Sequence, residues 1–160
     1  MRSIRWLFPA LPVLLLSLPA GTARASQYIG ERCWNFVDPA NPADPLVGTF
    51  ALTNEGDGHI SLRGQLVGYR NGVPEADLLL ANGNAEQISG TLVLMLNISA
   101  SETPTGGDFT FTVLQVRLDP MTLNGTFRGV VLGIDDPSGS PIGPDLEEGP
   151  VEFLPGCVVP

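Results

Sequence analysis

The sequence predicts an all-β domain, and three observations support that prediction. Apolar and polar residues alternate along several segments, most cleanly over residues 59–67, where Ile60, Leu62 and Leu66 share one face. The chain of 160 residues contains 19 Gly and 15 Pro, a content that favours many turns. Charged residues make up only 16% of the chain, below the usual share of about a quarter.

The predicted strands follow one another along the chain, separated by turn-forming residues. They occupy residues 48–53, 59–67, 76–81, 86–98, 108–119, 123–134 and 151–153. The Gly-Asp-Gly at 56–58 and the Asn-Gly pairs at 71–72 and 82–83 are hairpin signals, because they accept left-handed backbone conformations. The apolar face changes phase between Phe111 and Leu114, which predicts a β-bulge within that strand.

Glycines inside the predicted strands indicate how the sheet is arranged. Gly64, Gly90, Gly125 and Gly129 take such positions, and a strand glycine is typical of a sharp bend or of a close approach between backbones. We therefore expect a single small antiparallel up-and-down β-barrel of about eight strands. A β-sandwich is the alternative, because strand spacing distinguishes the two architectures poorly.

The apolar faces of these strands would line the barrel. The predicted lining consists of Ile60, Leu62, Leu66, Leu92, Leu94, Leu96, Phe109, Phe111 and Phe127. Such a barrel resembles the calycins, the lipocalins and avidins, at the level of the fold, although their Gly-x-Trp is absent because Gly30 and Trp34 are four residues apart. A barrel of this kind can hold a small apolar molecule in its mouth.

The N-terminus predicts export. Arg2 and Arg5 precede an apolar stretch, and Ala-Arg-Ala at 23–25 forms a cleavage site, so residues 1–25 read as a secretory signal peptide that is removed before Ser26. Residues 26–160 then form one β domain, secreted or periplasmic, with no further transmembrane segment. Cleavage leaves five arginines against 17 acids, a net charge of −12, which argues against nucleic acid as a partner.

The two cysteines predict one disulfide. Cys33 and Cys157 lie near opposite ends of the exported domain, and an oxidising compartment permits only one pairing between them. Two buried thiols or a metal site are the alternatives. A metal site lacks partners, because His59 is the only histidine and no C-x-x-C occurs.

Two segments are predicted to be irregular. Residues 38–45 carry proline at every third position, which predicts an extended, polyproline-like arm. Residues 135–150 form an acidic Pro/Gly-rich loop whose five carboxylates are of the ligand type that Ca²⁺ takes, but without the residue order of a calcium loop. A solvated acidic loop is the simpler interpretation.

These patterns lead to three hypotheses of function. The first is a non-enzymatic barrel that binds a small apolar ligand and needs no cofactor or metal. The second is an envelope or extracellular interaction protein with an outer apolar patch of Val93, Met95, Val130 and Leu132. The third is a small hydrolase, which is disfavoured because no catalytic residues can be named around a single histidine. The oligomeric state is not predicted.

Overall fold

Eight antiparallel strands and one short 3-10 helix (Pro155–Cys157) form the domain in the computed structural model, which describes residues 26–40, 42–56, 58–101, 109–135 and 138–157. The predicted signal peptide, residues 1–25, lies outside the described residues. The strands are β1 (Gln27–Phe36), β2 (Leu46–Gly56), β3 (His59–Arg70), β4 (Val73–Ile88), β5 (Thr91–Ser101), β6 (Phe109–Leu118), β7 (Gly125–Asp135) and β8 (Ser140–Phe153). No helix in the described part of the chain is long and apolar enough to cross a membrane.

The sheet closes on itself. Each strand pairs with the next, and β8 pairs with β1, so the all-β prediction and the barrel are confirmed and the sandwich alternative is wrong. The closing seam is short: β1 and β8 share three residue pairs, from Trp34–Phe153 to Phe36–Val151, whereas β5 and β6 share ten. The barrel is therefore held most weakly by backbone pairing at this seam.

The predicted disulfide is confirmed, and it lies beside that seam. Cys33 on β1 is bonded to Cys157 in the 3-10 helix, with their Cα atoms 5.1 Å apart. The Leu154 amide also donates to the Cys33 carbonyl at 2.9 Å. The bridge and this hydrogen bond thus attach the end of β8 to β1, where strand pairing is shortest.

Alternation along the strands places the apolar residues inside the barrel. Trp34 is at the centre of one half of this core: its ring lies 5.9 Å from the ring of Phe50 and 6.2 Å from that of Phe153, and its Nε1 donates to the Leu123 carbonyl at 3.0 Å. Each large apolar side chain buried here stabilises the fold by about 1.5–3 kcal/mol. We call this part the filled half, and its fully buried residues are Trp34, Phe50, Leu62, Leu66, Leu94, Leu96, Val116 and Leu118.

The predicted turn at 82–84 is wrong. Residues 82–84 lie inside β4, where Gly83 stands between Leu62 and Leu96 of the neighbouring strands. A Cβ on Gly83 would clash with the Met95 carbonyl, so its glycine serves close packing. The turn is instead at Ser89 and Gly90, which have φ values of 50° and 83°, so Gly90 is a turn glycine and not an interior one.

The predicted bulge in the sixth strand is also wrong. β6 pairs residue by residue with both β5 and β7 from Phe109 to Leu118. Because the inward side of β6 is set by Leu114, Val116 and Leu118, the period of two places Thr112 inside and Phe111 outside.

The acidic segment 135–150 is mostly strand. Residues 140–150 belong to β8, which pairs with β7 on both sides of an irregularity at 143–144, so the loop prediction is wrong for them. Prolines 141, 144 and 150 obscured this strand in the sequence. Among the described residues, β1 pairs with β8 over 151–153 alone, so the earlier part of β8 is an edge of the sheet. Proline is tolerated there because a backbone N–H on the edge side has no partner strand to bond.

The segment 38–45 is folded into turns in its described residues, which contradicts the predicted extended arm. The Ala40 amide donates to the Asp38 carboxylate at 2.8 Å, a short local bond that favours a turn over an extended chain. The Val37 amide donates to the Pro150 carbonyl at 3.0 Å, which attaches this segment to the edge of β8.

Candidate ligand cavity

A cavity of about 580 Å³ opens at one end of the barrel, where β1 ends and β2 begins. Its floor is apolar: the rings of Phe36 and Phe127 lie 5.7 Å apart in an edge-on arrangement, and Ile98 and Leu114 are buried beside them. The remaining bordering residues are Asp38, Pro39, Asp44, Leu46, Leu79, Thr110, Thr112, Val131, Leu146, Glu147 and Glu148. The volume lies within the range of about 300–1,000 Å³ that is usual for small-molecule sites.

The predicted lining residues are distributed between this cavity and the core. Phe127 borders the cavity. Leu62, Leu66, Leu94 and Leu96 face inward as predicted, but they pack against one another in the filled half, and Ile60 and Leu92 pack against the same cluster. These six residues are therefore core residues by position.

Two phenylalanines of β6 belong to the predicted lining, and the structure describes the side chain of one of them. Phe111 is 38% exposed on the outer surface, opposite Leu132, because β6 keeps its register. The side chain of Phe109 lies outside the described part of the structure. Thr110 and Thr112 take the inward positions instead and border the cavity. Reading the alternation backwards from Leu118 would have found them.

The rim of the cavity is acidic. The alternation of β8 turns Asp145 and Glu147 to the inner side, since they lie opposite the inward Val131 and Gly129. Asp38 and Asp44, in the turns that precede β2, border the same opening. Glu148 faces outward and lies 3.6 Å from Arg128 of β7. The rim thus combines carboxylates from two segments that are far apart in the sequence.

The burial and the negative charge at this rim change the pKa of Glu147. Although the residue as a whole is exposed, partial desolvation of its carboxylate raises its pKa above the ordinary value, and the negative charges of Asp38 and Asp145 raise it further. None of the residues that border the cavity in the described ranges is basic. The described residues also contain no group of three or more side chains that could hold a metal ion.

Two other surface features differ from the cavity in enclosure and lining. A depression of about 620 Å³ lies on the outer side of β3, β4 and β5, bordered by polar residues such as Arg63, Asn82 and Asn97. It is slightly larger than the cavity but more open, and it lacks an enclosed apolar floor, so we favour the cavity as the site. His59 is exposed at the start of β3, and its sequence neighbour Asp57 lies outside the described residues.

The predicted outer patch is divided. Met95 is exposed on β5, but Gln115 of β6 stands opposite it, which separates it from β7. Val93 is likewise opposite Arg117. The outer apolar residues that do adjoin one another are on β6, β7 and β8. We call them the outer patch: Phe111, Val113, Val130, Leu132 and Leu146.

Comparison with known proteins adds no identity to this geometry: no protein family, no curated protein and no solved structure matches this chain.

Proposed function

We propose that this protein is an exported, non-enzymatic β-barrel that binds a small, largely apolar molecule in the cavity at its open end. The observation that carries the proposal is the cavity itself, about 580 Å³ in volume with a floor of Phe36, Ile98, Leu114 and Phe127. A core of this size normally fills its interior, since protein interiors pack as densely as organic crystals. Space retained over an apolar floor is typical of a ligand site.

Export is supported by two independent features. The first 25 residues have the charge and apolar pattern of a cleaved signal, and the chain carries a Cys33–Cys157 disulfide, which persists in oxidising compartments. Peptide mapping of the protein recovered from the exported fraction tests this part. The expected mature N-terminus is Ser26, whereas an intact Met1 in that fraction would contradict it.

Binding is preferred to catalysis because of the groups around the cavity. Its bordering residues in the described part of the chain are aliphatic, aromatic, hydroxyl and carboxylic, and they include neither the histidine nor the disulfide cysteines. A hydroxyl nucleophile such as Thr112 needs an adjacent base to be activated, and the bordering carboxylates lie at the rim.

Titration with a neutral, environment-sensitive naphthylamine dye tests the proposal. Thr112→Phe adds a ring from the wall into the cavity and is expected to weaken dye binding by at least about tenfold, the loss that follows from about 1.4 kcal/mol of binding energy. Gln115→Phe is the matched control, because it adds the same side chain to the same strand on the outer face. Saturable binding that is lost only in Thr112→Phe supports the proposal. Equal binding by both variants, or none by the native protein, would refute it.

A second candidate, an interaction protein, is supported by the outer patch. Leu132 is 46% exposed and Leu146 is 75% exposed, and both adjoin Val130 on one surface. A second copy of this chain is the occupant that this candidate specifies, because paired patches would bury apolar area on both copies. Native mass spectrometry distinguishes the two functions: a stable dimer that Leu132→Asp dissociates would support the interaction protein, and a monomer with a small-molecule adduct would support the ligand binder.

A further inference from the structure

We propose that the ligand is an amphipathic cation, an apolar body that ends in a protonated amine. This inference rests on the proposed function and adds the chemical class of the ligand. It follows from how polarity changes from the floor of the cavity to its rim.

The floor and the rim differ in burial and in charge. Phe36, Ile98 and Leu114 on the floor are almost completely buried, whereas Asp38 and Glu147 at the rim are exposed. A ligand that matches both surfaces has an apolar part inside and a polar part at the opening. Its polar end can remain partly hydrated there, so the ligand need not lose the whole hydration of a charged group.

The sign of the polar end follows from the rim. Asp38, Asp44 and Glu147 bring carboxylates from both sides of the opening, and no basic residue borders the cavity in the described ranges. Arg128 of β7 lies 3.6 Å from Glu148, whose side chain faces outward on β8. An anionic amphiphile such as a fatty acid would be repelled at this rim, whereas a cation would relieve the repulsion among its carboxylates.

The rim also provides acceptors of the kind that an ammonium group requires. An ammonium has three donors and no acceptor, and an ionised carboxylate accepts hydrogen bonds without donating any. Hydrogen bonds to charged groups contribute more than neutral ones, but solvent weakens them at this exposed rim, so an ammonium is expected to bind about three- to tenfold more tightly than the alcohol with the same chain.

Three ten-carbon probes that differ only in the end group test this inference. Decylammonium, decanol and decyl sulfate are each used, below their micellar concentrations, to displace the naphthylamine dye from the protein with its disulfide intact. The expected order of affinity is decylammonium, then decanol, then decyl sulfate. Glu147→Gln is expected to remove most of the preference for decylammonium over decanol while leaving the affinity for decanol within about twofold, since it removes charge and not apolar surface.

The control is Glu152→Gln, which makes the same chemical change on the same strand. Glu152 is exposed, outside the cavity, and pairs with Asn35 at the closing seam. It should leave all three affinities unchanged. If decanol binds as well as decylammonium, the inference of a cation is overturned and the ligand-binding function stands. If the dye binds in the cavity but decylammonium does not displace it, only the inference of a cation is overturned; if neither the dye nor any of the three probes binds, the proposed function itself fails. Equal effects of Glu147→Gln and Glu152→Gln would show a general charge effect and would also overturn the inference.

Discussion

Replacement of Gly125 by alanine is expected to lower the free energy of unfolding by about 1–2 kcal/mol. Gly125 begins β7 and lies between Leu118 of β6 and Val151 of β8. A Cβ at this position would clash with the Arg117 carbonyl oxygen and would lie 2.9 Å from the Leu118 Cα, so only movement of backbone can accommodate it. Overpacking of this kind costs about 1–3 kcal/mol. The gain from a less flexible unfolded chain, about 0.4–1 kcal/mol, offsets part of that loss.

Urea unfolding with the disulfide intact measures this change. With an m-value of about 2 kcal/mol/M, the expected loss lowers the urea midpoint by about 0.5–1 M. Gln65→Ala, on the exposed outer face of β3, is the control and should change the stability by less than about 0.5 kcal/mol. β-sheet propensity alone predicts that alanine is no worse than glycine here. An unchanged or raised midpoint in Gly125→Ala would therefore refute the close approach of β6 and β7.

Three further predictions concern stability and its pH dependence. Reduction of the Cys33–Cys157 bond should raise the intact mass by two hydrogens and lower the free energy of unfolding by about 4–5 kcal/mol in the chain-entropy account. A urea midpoint that does not change on reduction would contradict the role of the bridge in holding β1 to the end of β8. Glu147 has a raised pKa in the folded protein, so the fold loses stability as the pH rises from about 4.3 through that raised value. Glu147→Gln removes this loss and should raise the urea midpoint at pH 7 while leaving it unchanged at pH 3. A lowered midpoint at pH 7 would contradict this prediction. Asp119 has a lowered pKa because the amides of Thr122 and Met121 donate to its carboxylate, so Asp119→Asn should lower the urea midpoint at pH 7. The difference in midpoint between this variant and the native protein should shrink as the pH falls below about 3.9 through the folded pKa. A difference that does not depend on pH would contradict this prediction.

Strands that have a neighbour on both sides and bury one face in the core could be predicted from the alternation of apolar and polar residues alone. Residues 59–67 and 92–98 have one apolar face that points inward along its whole length, and their side chains lie where the pattern predicted. β4 was harder, because its inward residues Ala81, Gly83 and Ala85 are small and its Asn-Gly pair is typical of a turn. Small inward residues there are explained by the close approach of β5, which only the packed sheet reveals.

The part of the barrel that stays open could not be predicted, for a physical reason. Whether an inward face fills the barrel depends on the summed size of side chains from all eight strands, and no single strand reports that sum. Thr110 and Thr112 resemble outward residues in the sequence, yet they border the open end. The rim was missed for a second reason: Glu147 belongs to a strand whose prolines suggested a loop, and Asp38 to a segment that suggested an extended arm.

Methyl NMR during titration with decylammonium tests the central claim most directly, because it reports which face of the sheet meets the ligand. The cavity account predicts saturable, one-to-one shifts of the inward methyl groups of Ile98, Thr112 and Leu114. The chemical shifts of the outward methyl groups of Val113 on β6 and Leu132 on β7 should change little. Saturable shifts confined to the outward methyl groups, or no saturable shifts at all, would contradict a ligand site inside the barrel.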